Sequence, residues 1–313
     1  MLEGKRVAVV VPAYDEERLV VETLREIPEL VDRIYVVDDG SRDGTAERAE
    51  EVGDPRVEVI RHERNQGVGA AIVTGYRRAL EEGIDVTCVM AADNQMDGTE
   101  LEGLAGPVAR GEVEYAKANR LVSGEAWKVI PRTRYLGNAV LSLLTKIASG
   151  YWHVADSQAG YTALSLDALR RLDLDRLYPS YGFPNDVLVH LNVQNARVRD
   201  VPSRPIYDVG ETSGIKLRSV VPRISWLLFK GFWWRMAQKY VIRDFHPLVF
   251  FYVFGVLMTV AGFALGVLEL ALRIAGNEIT PASIVLVAIL LIAGLQLTLF
   301  AMWFDMEANK DLR

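Results

Sequence analysis

Residues 89–97, VMAADNQMD, pass from an apolar stretch into Asp93, Asn94, Gln95 and Asp97 within a few positions. Such oxygens are hard donors. Mg2+ and Mn2+ typically take one or two protein carboxylates and complete their shells with water or substrate phosphates. Asp93 and Gln95 are two apart, so at a strand end both can aim oxygens toward the same side. The chain has only four His and one Cys, and they form no cluster, which argues against zinc. Two other apolar runs also end in acids: VVVPAYDEE at 9–17 and VVDDGS at 36–41. Asp and Gly are ordinary turn residues, but three acidic strand ends in one sheet repel one another. A cation and the donor groups of a ligand would relieve that repulsion. NQGVGAA at 65–71 lacks the Lys-Ser/Thr of a phosphate loop and reads as a tight turn opening a helix.

These side chains need a frame, and the first 120 residues supply one. Strands are predicted at 6–13, 33–41, 56–62 and 85–90, with helices at 16–30, 44–52 and 68–82, the last carrying Gly75. Strands alternating with helices imply an α/β fold, a mostly parallel sheet with helices on both faces. In such sheets ligands bind beyond the carboxyl ends of the strands, where the acids gather. The lone Cys88, inside an apolar run, excludes an intrachain disulfide and suits a reducing compartment. Through residue 213 there are 25 Lys+Arg against 35 Asp+Glu. That balance excludes general nucleic-acid binding, which needs basic surface. No signal peptide is expected, since the N-terminus reaches acidic residues after one short apolar stretch.

The last hundred residues have a different character. Residues 247–268 and 281–304 carry no charge, and about 20 helical residues cross a bilayer core. Two transmembrane helices at about 247–270 and 281–304, joined by a short connector, make a hairpin with both ends on one side. The preceding flank, 214–246, holds seven Lys and Arg against Asp244 alone, and excess Lys/Arg marks the cytoplasmic face. RISWLLFKGFWWRMAQKY within it mixes aromatics with cations, the pattern of helices lying in the membrane interface against lipid headgroups. The expected organisation is an α/β domain at 1–213, interfacial helices at 214–246, the hairpin at 247–304 and a cytoplasmic tail at 305–313. A chain with only two spans is also a candidate for homo-oligomer formation.

VVVPAYDEE, VVDDGSRDGT, RNQGVGAAIVTGY, ADNQMD and YAKANRL, in that order, resemble successive motifs of the family 2 inverting glycosyltransferases of GT-A fold. Together with the hairpin they resemble the polyprenyl-phosphate sugar synthases, the group of dolichol-phosphate mannose synthase and undecaprenyl-phosphate glucosyltransferases. The resemblance covers roughly residues 5–213. It implies transfer of a hexose from GDP-mannose or UDP-glucose to polyprenyl phosphate, with inversion and with Mg2+ or Mn2+.

Carried onto this sequence, the resemblance gives Pro12, Tyr14, Glu16 and Asp39 to the nucleotide, and Asp93 and Gln95 to the metal. Ala91 stands where the family has a first Asp. Asn119-Arg120 matches a G-[NS]-R element near the diphosphate, with Ala118 in place of its Gly. Asp156 and Gly160, in DSQAGYTALS, fall near the sugar. Arg134 matches the acceptor-phosphate arginine, with Arg132 as its assistant and Lys216 or Arg218 as further candidates. The resemblance makes Asp93, Arg120, Arg132 and Arg134 the catalytic set. Asp97 could contribute to the metal but reads more simply as a helix cap, Asp186 fits equally a residue facing the acceptor or a helix N-terminal carboxylate, and His190 reads as structural. Two alternatives stay open. One is transfer to another lipid such as diacylglycerol, whose hydroxyl would need a base such as Asp156 or Asp186. The other, prompted by Ala91, is a membrane-tethered pseudoenzyme that binds a nucleotide sugar.

Overall fold

The computed structural model describes residues 1–122, 132–204, 206 and 217–313, without the side chains of 132–136, 138 and 217–219. Two compact units result: Met1–Phe232 with Asp311–Arg313, and Trp233–Lys310.

The first unit is built on a seven-stranded sheet. β1 (Val7–Ala13), β2 (Arg33–Asp38), β3 (Val57–Arg61) and β4 (Val86–Val89) are followed by β5 (Tyr115–Asn119), β6 (Thr162–Ser165) and β7 (Val198–Pro202). Their order is β3-β2-β1-β4-β6-β5-β7. The helices are α1 (Val20–Glu26), α2 (Thr45–Glu51), α3 (Val68–Glu82), α4 (Leu101–Ala109), α5 (Arg132–Ser149), α6 (Leu166–Arg171), α7 (Phe183–Val193) and α8 (Leu217–Ala237). A strand buried on both faces reads as a continuous apolar run, and β1 is VAVVVPA with every residue buried. Its side chains alternate. Val7, Val9 and Val11 join Leu24, Leu101 and Leu104 in one core, while Ala8 and Val10 join Ile72, Tyr76 and Leu188 in the other. Gly75 explains how α3 lies so close to β1, since a Cβ there would stand 2.3 Å from Val10 Cγ1.

β1 pairs in parallel with β2 and β4, β2 with β3, and β5 with β7. The short β6 runs antiparallel between β4 and β5. Four residues, TALS, give no periodicity by which sequence could have placed that strand. The geometry has one consequence for the site. β4, β5 and β7 end at the same edge where β6 begins. That edge gathers the segments after β1, β2, β4, β5 and β7 and the residues leading into β6.

The first unit extends past residue 213, the boundary expected from sequence. Ile224 and Leu228 of α8 are buried, and α8 approaches α7 so closely that a Cβ on Gly182 would stand 2.7 Å from Leu227. Trp226 and Phe229 remain exposed and stack at 5.4 Å.

The second unit holds the end of α8, a π-helical segment (Gln238–Arg243), α9 (Leu248–Ile274) and α10 (Pro281–Ala308). Both α9 and α10 are long and apolar enough to cross a membrane. Their most apolar windows are only 22% and 11% buried within the structure, unlike the core helices of a soluble domain. They meet through small residues. A Cβ on Gly255 would lie 2.6 Å from Thr298 Oγ1, and one on Gly294 would lie 2.6 Å from Thr259 N. Each threonine hydroxyl donates back to the glycine carbonyl four residues earlier. Small residues that admit a neighbouring backbone are the usual contact of helices in lipid.

Residues 305–313 are built in rather than forming a tail. Asp305 is fully buried and accepts two hydrogen bonds from Arg235, at 2.8 and 2.9 Å, and one from Tyr240 OH at 2.7 Å. Asn309 accepts from Lys239 Nζ (2.7 Å) and donates to Tyr240 OH (2.8 Å). In the first unit, the Leu312 carbonyl accepts from Val198 N–H.

Candidate active site

Beyond β4 the chain turns sharply. Asn94 adopts a left-handed φ of 54°, which Asn tolerates better than most residues. Gln95 N–H donates to Asp93 Oδ1 at 3.2 Å. The Asn94 side-chain oxygen is buried without a hydrogen-bond partner, an orphaned hard acceptor beside Asp93 and Gln95. Among the described residues no three His, Cys, Asp or Glu cluster as a ready-made cage. This donor set suits Mg2+ or Mn2+ sharing its shell with phosphate oxygens. Ala91 N–H points at Met96 Sδ, 3.3 Å away. Asp97 is committed elsewhere, capping the next turn by accepting from Thr99 N–H and Oγ1 at 2.9 and 2.6 Å.

Three of the sequence-predicted residues, Gln95, Arg120 and Gly160, line one pocket together with Met96, Ala118, Ala159, Tyr161, Ser203, Arg204 and Ile206. A Cβ on Gly160 would meet only Met96 Cε, at 3.5 Å. A single methyl group would therefore fit there at ordinary van der Waals contact.

Arg120, at the end of β5, grips Asp156 through Nε at 2.7 Å and Nη2 at 3.2 Å. Burial acts to raise the Asp156 carboxyl, but the Arg120 guanidinium and the Lys117 ammonium outweigh it and hold the pKa below the ordinary carboxylate range. The pair is thus an ionised, bidentate bridge that fixes the guanidinium at the pocket wall. Asp156 itself is 2% exposed and acts on the pocket through Arg120.

Sequence reasoning missed Lys117 and Asp200, which lie beneath this wall. Lys117 is fully buried and donates from Nζ to the Ala159 carbonyl. Asp200 is its register partner on β7 and accepts from Asn119 Nδ2 (2.7 Å) and Ala155 N–H (2.8 Å). The signal was present in YAKANRL: a lysine alone in an apolar strand must find partners inside.

The nucleotide candidates lie along the same edge, toward β1 and β2. Pro12 is buried in β1, and Tyr14 is exposed beyond it. The segment 15–17 is laced to 41–45: Asp15 N–H donates to Ser41 Oγ, Asp15 accepts from Arg42 N–H, and Glu16 N–H donates to Thr45 Oγ1. Asp39 is 2% exposed and holds a turn together, accepting from Gln66 N–H, Gly67 N–H and His62 Nδ1 at 2.7–2.9 Å. That duty was not foreseen. NQGVGAA is indeed a turn and helix start, with Gly67 at φ +102° and a Cβ there only 2.3 Å from the Pro179 carbonyl.

Arg132 and Arg134 begin α5 and Arg218 begins α8, with side chains outside the described residues, as is all of Lys216. Asp186 lies buried in the first turn of α7 and accepts from Tyr178 N–H at 2.8 Å. Burial pushes its carboxyl up to about 6. Burial likewise pulls His190 down to about 4, which leaves it a neutral interior side chain.

Residues 8–173 match the family described as Glycosyl transferase family 2. The chain is 30% identical to the undecaprenyl-phosphate mannosyltransferase of Micrococcus luteus over 230 residues, 71% of this chain and 93% of that one. It is 29% identical to the UDP-N-acetylglucosamine–dolichyl-phosphate N-acetylglucosaminyltransferase of Methanococcus voltae over 221 residues, 66% and 88% of the two chains. Among solved structures, glucosyl-3-phosphoglycerate synthase from Mycobacterium tuberculosis, in complex with Mn2+, UDP and glucosyl-3-phosphoglycerate, superposes with a TM-score of 0.56. It shares 20% identity and covers 74% of this chain and 80% of that one.

Proposed function

The chain belongs to glycosyl transferase family 2, and from that membership we propose that it moves a sugar from a nucleotide diphosphate donor to polyprenyl phosphate at a membrane surface. The observation that carries the reading is the convergence of Gln95, Arg120 and Gly160 on one pocket at the carboxyl edge of the sheet, in a chain that also has two membrane-length helices. Relatives named for undecaprenyl-phosphate and dolichyl-phosphate acceptors support the acceptor class. The donor is a hexose such as mannose or glucose, or N-acetylglucosamine as in the Methanococcus relative, carried on GDP or UDP.

Asp93 and Gln95, with the Asn94 oxygen beside them, would hold Mg2+ or Mn2+. The ion supplies Lewis-acid neutralisation of charge on the departing diphosphate. Arg120, locked by Asp156, presents a fixed cation to the same end of the donor. A phosphate monoester is largely ionised at neutral pH, its second pKa being near 6, so the acceptor needs positioning more than a general base. Arg132 and Arg134 at the start of α5 are the residues assigned to it, with Lys216 and Arg218 in support. Attack from the face opposite the diphosphate inverts the anomeric carbon and gives a β-linked product from an α-linked donor. The basic flank 214–246 supports a cytoplasmic placement of the catalytic unit, and the exposed Trp226–Phe229 stack suits lipid contact.

The test is a panel of labelled GDP-mannose, UDP-glucose and UDP-N-acetylglucosamine with polyprenyl phosphate and Mn2+ or Mg2+, read as label extracted into organic solvent. Wild-type protein should yield a lipid-soluble product with one donor, and Asp93→Asn should reduce it by at least about a hundredfold. Label that never enters the organic phase with any donor would sink the reading.

A further inference from the structure

A lysine with no exposure to solvent is costly to bury and is retained where its charge is answered. Lys117 is such a residue, and the pocket does not touch it. It lies in the middle of β5, in register with Thr162 on β6 and Asp200 on β7, directly beneath pocket residues on the neighbouring segments. Its Nζ reaches across to the Ala159 carbonyl, the residue before Gly160, and Ala159 and Gly160 both line the pocket. The segment is held at its other end too, where Asp156 is gripped by Arg120 and accepts from Gln158 N–H. Two cations beneath and beside the wall, Lys117 and Arg120, thus fix both ends of the stretch 156–160.

The charges balance. Burial pulls the Lys117 pKa down to about 8, opposed by Asp156 and Asp200, which favour its ammonium, and aided by Arg120. At neutral pH the side chain is therefore mainly the cation. Its tie to a carbonyl is of the charge-assisted kind, stronger than a neutral hydrogen bond.

We propose that Lys117 is a positioning residue for the donor's sugar, acting through the Ala159 carbonyl to hold the Ala159–Gly160 wall against the bound ring. This rests on the reading of that pocket as the donor site. Pro12, Tyr14, Glu16 and Asp39, which are assigned to the nucleotide, lie along the sheet toward β1 and β2 and make no described hydrogen bond to Lys117. The inference therefore separates the two halves of the donor. Loss of the ammonium loosens the grip on the sugar and leaves the nucleoside diphosphate bound as before.

The experiment uses full-length protein in detergent with Mn2+. Calorimetry compares UDP and GDP with UDP-glucose, UDP-N-acetylglucosamine and GDP-mannose, and the nucleotide and nucleotide sugar that bind wild type are carried forward. Two variants are measured: Lys117→Met, and the charge-balanced Lys117→Met/Asp200→Asn, which removes the ammonium together with its register partner's charge. The expected result is a nucleoside diphosphate Kd within about twofold of wild type and a nucleotide-sugar Kd and KM raised about tenfold, the scale of one charge-assisted hydrogen bond. Equal weakening of nucleotide and nucleotide sugar, or of neither, would overturn the inference while leaving the donor-site reading intact. If both variants fail to fold, the ammonium serves the fold and the positioning role is refuted. If wild type binds no donor at all, the reading beneath falls and this inference falls with it.

Discussion

Asp186→Asn separates stability from chemistry at one carboxylate. Asp186 is 5% exposed, and burial raises its pKa from 3.8 to about 6, against smaller opposing effects of the Tyr178 N–H bond and Lys230. Between those two values the folded protein binds the proton and the unfolded chain releases it, so stability falls as pH rises through that window. Two units at 1.36 kcal/mol each give a cost of about 3 kcal/mol, fully present above pH 6 and absent below pH 4. Asparagine keeps an oxygen for Tyr178 N–H and carries no charge. The variant should therefore melt higher than wild type at pH 7, by roughly 6–12 °C at about 2–4 °C per kcal/mol, and the gap should close by pH 4. Melting in detergent from pH 4 to 8 measures it. A variant less stable than wild type at pH 7, or a gap that ignores pH, refutes the reasoning. Turnover of the same variant tests the chemistry: transfer to a phosphate acceptor keeps most of its rate, whereas a hydroxyl acceptor activated by Asp186 would lose it.

Three other outcomes are expected. Ala91→Asp restores a carboxylate beside Asp93 and should lower the Mn2+ concentration giving half-maximal turnover by about tenfold, roughly 1.4 kcal/mol of added attraction. Gly160→Ala places its Cβ against Met96 Cε at an ordinary 3.5 Å, so it should melt like wild type yet raise KM for the nucleotide sugar by about tenfold, one ring contact being displaced. Asp305→Asn leaves the buried Arg235 charge without its carboxylate and should destabilise the second unit by about 3–5 kcal/mol, read as a fall in melting temperature. The pair Arg235→Met/Asp305→Leu should recover most of that loss.

The early strands were legible because burial on both faces leaves an unbroken apolar run, as in VAVVVPA. The acids that close those runs lie at the sheet's carboxyl edge. The pocket also holds three of the residues named from sequence, Gln95, Arg120 and Gly160. What stayed hidden has long-range causes. β6 has four residues, and its antiparallel place is set by neighbours far away in sequence. Asp39 was legible as a polar strand end, but its acceptance of backbone N–H groups 27 and 28 residues further on was not. Lys117 belongs to a wall whose other half arrives 42 residues later. The boundary at residue 213 followed a change in composition, whereas packing of Ile224 and Leu228 carries the first unit through Phe232.

Arg235 precedes both apolar helices, and Asp305, 70 residues later, lies in the last turn of the second. Ribosomes add roughly 5–20 residues per second, so during synthesis the arginine waits for several seconds before its carboxylate exists. With α9 and α10 read as crossing the bilayer, the bond would close only after the second helix has turned back and its end has emerged beside the first. A chain halted between α9 and α10 has not yet gained the carboxylate that Arg235 meets in the finished fold.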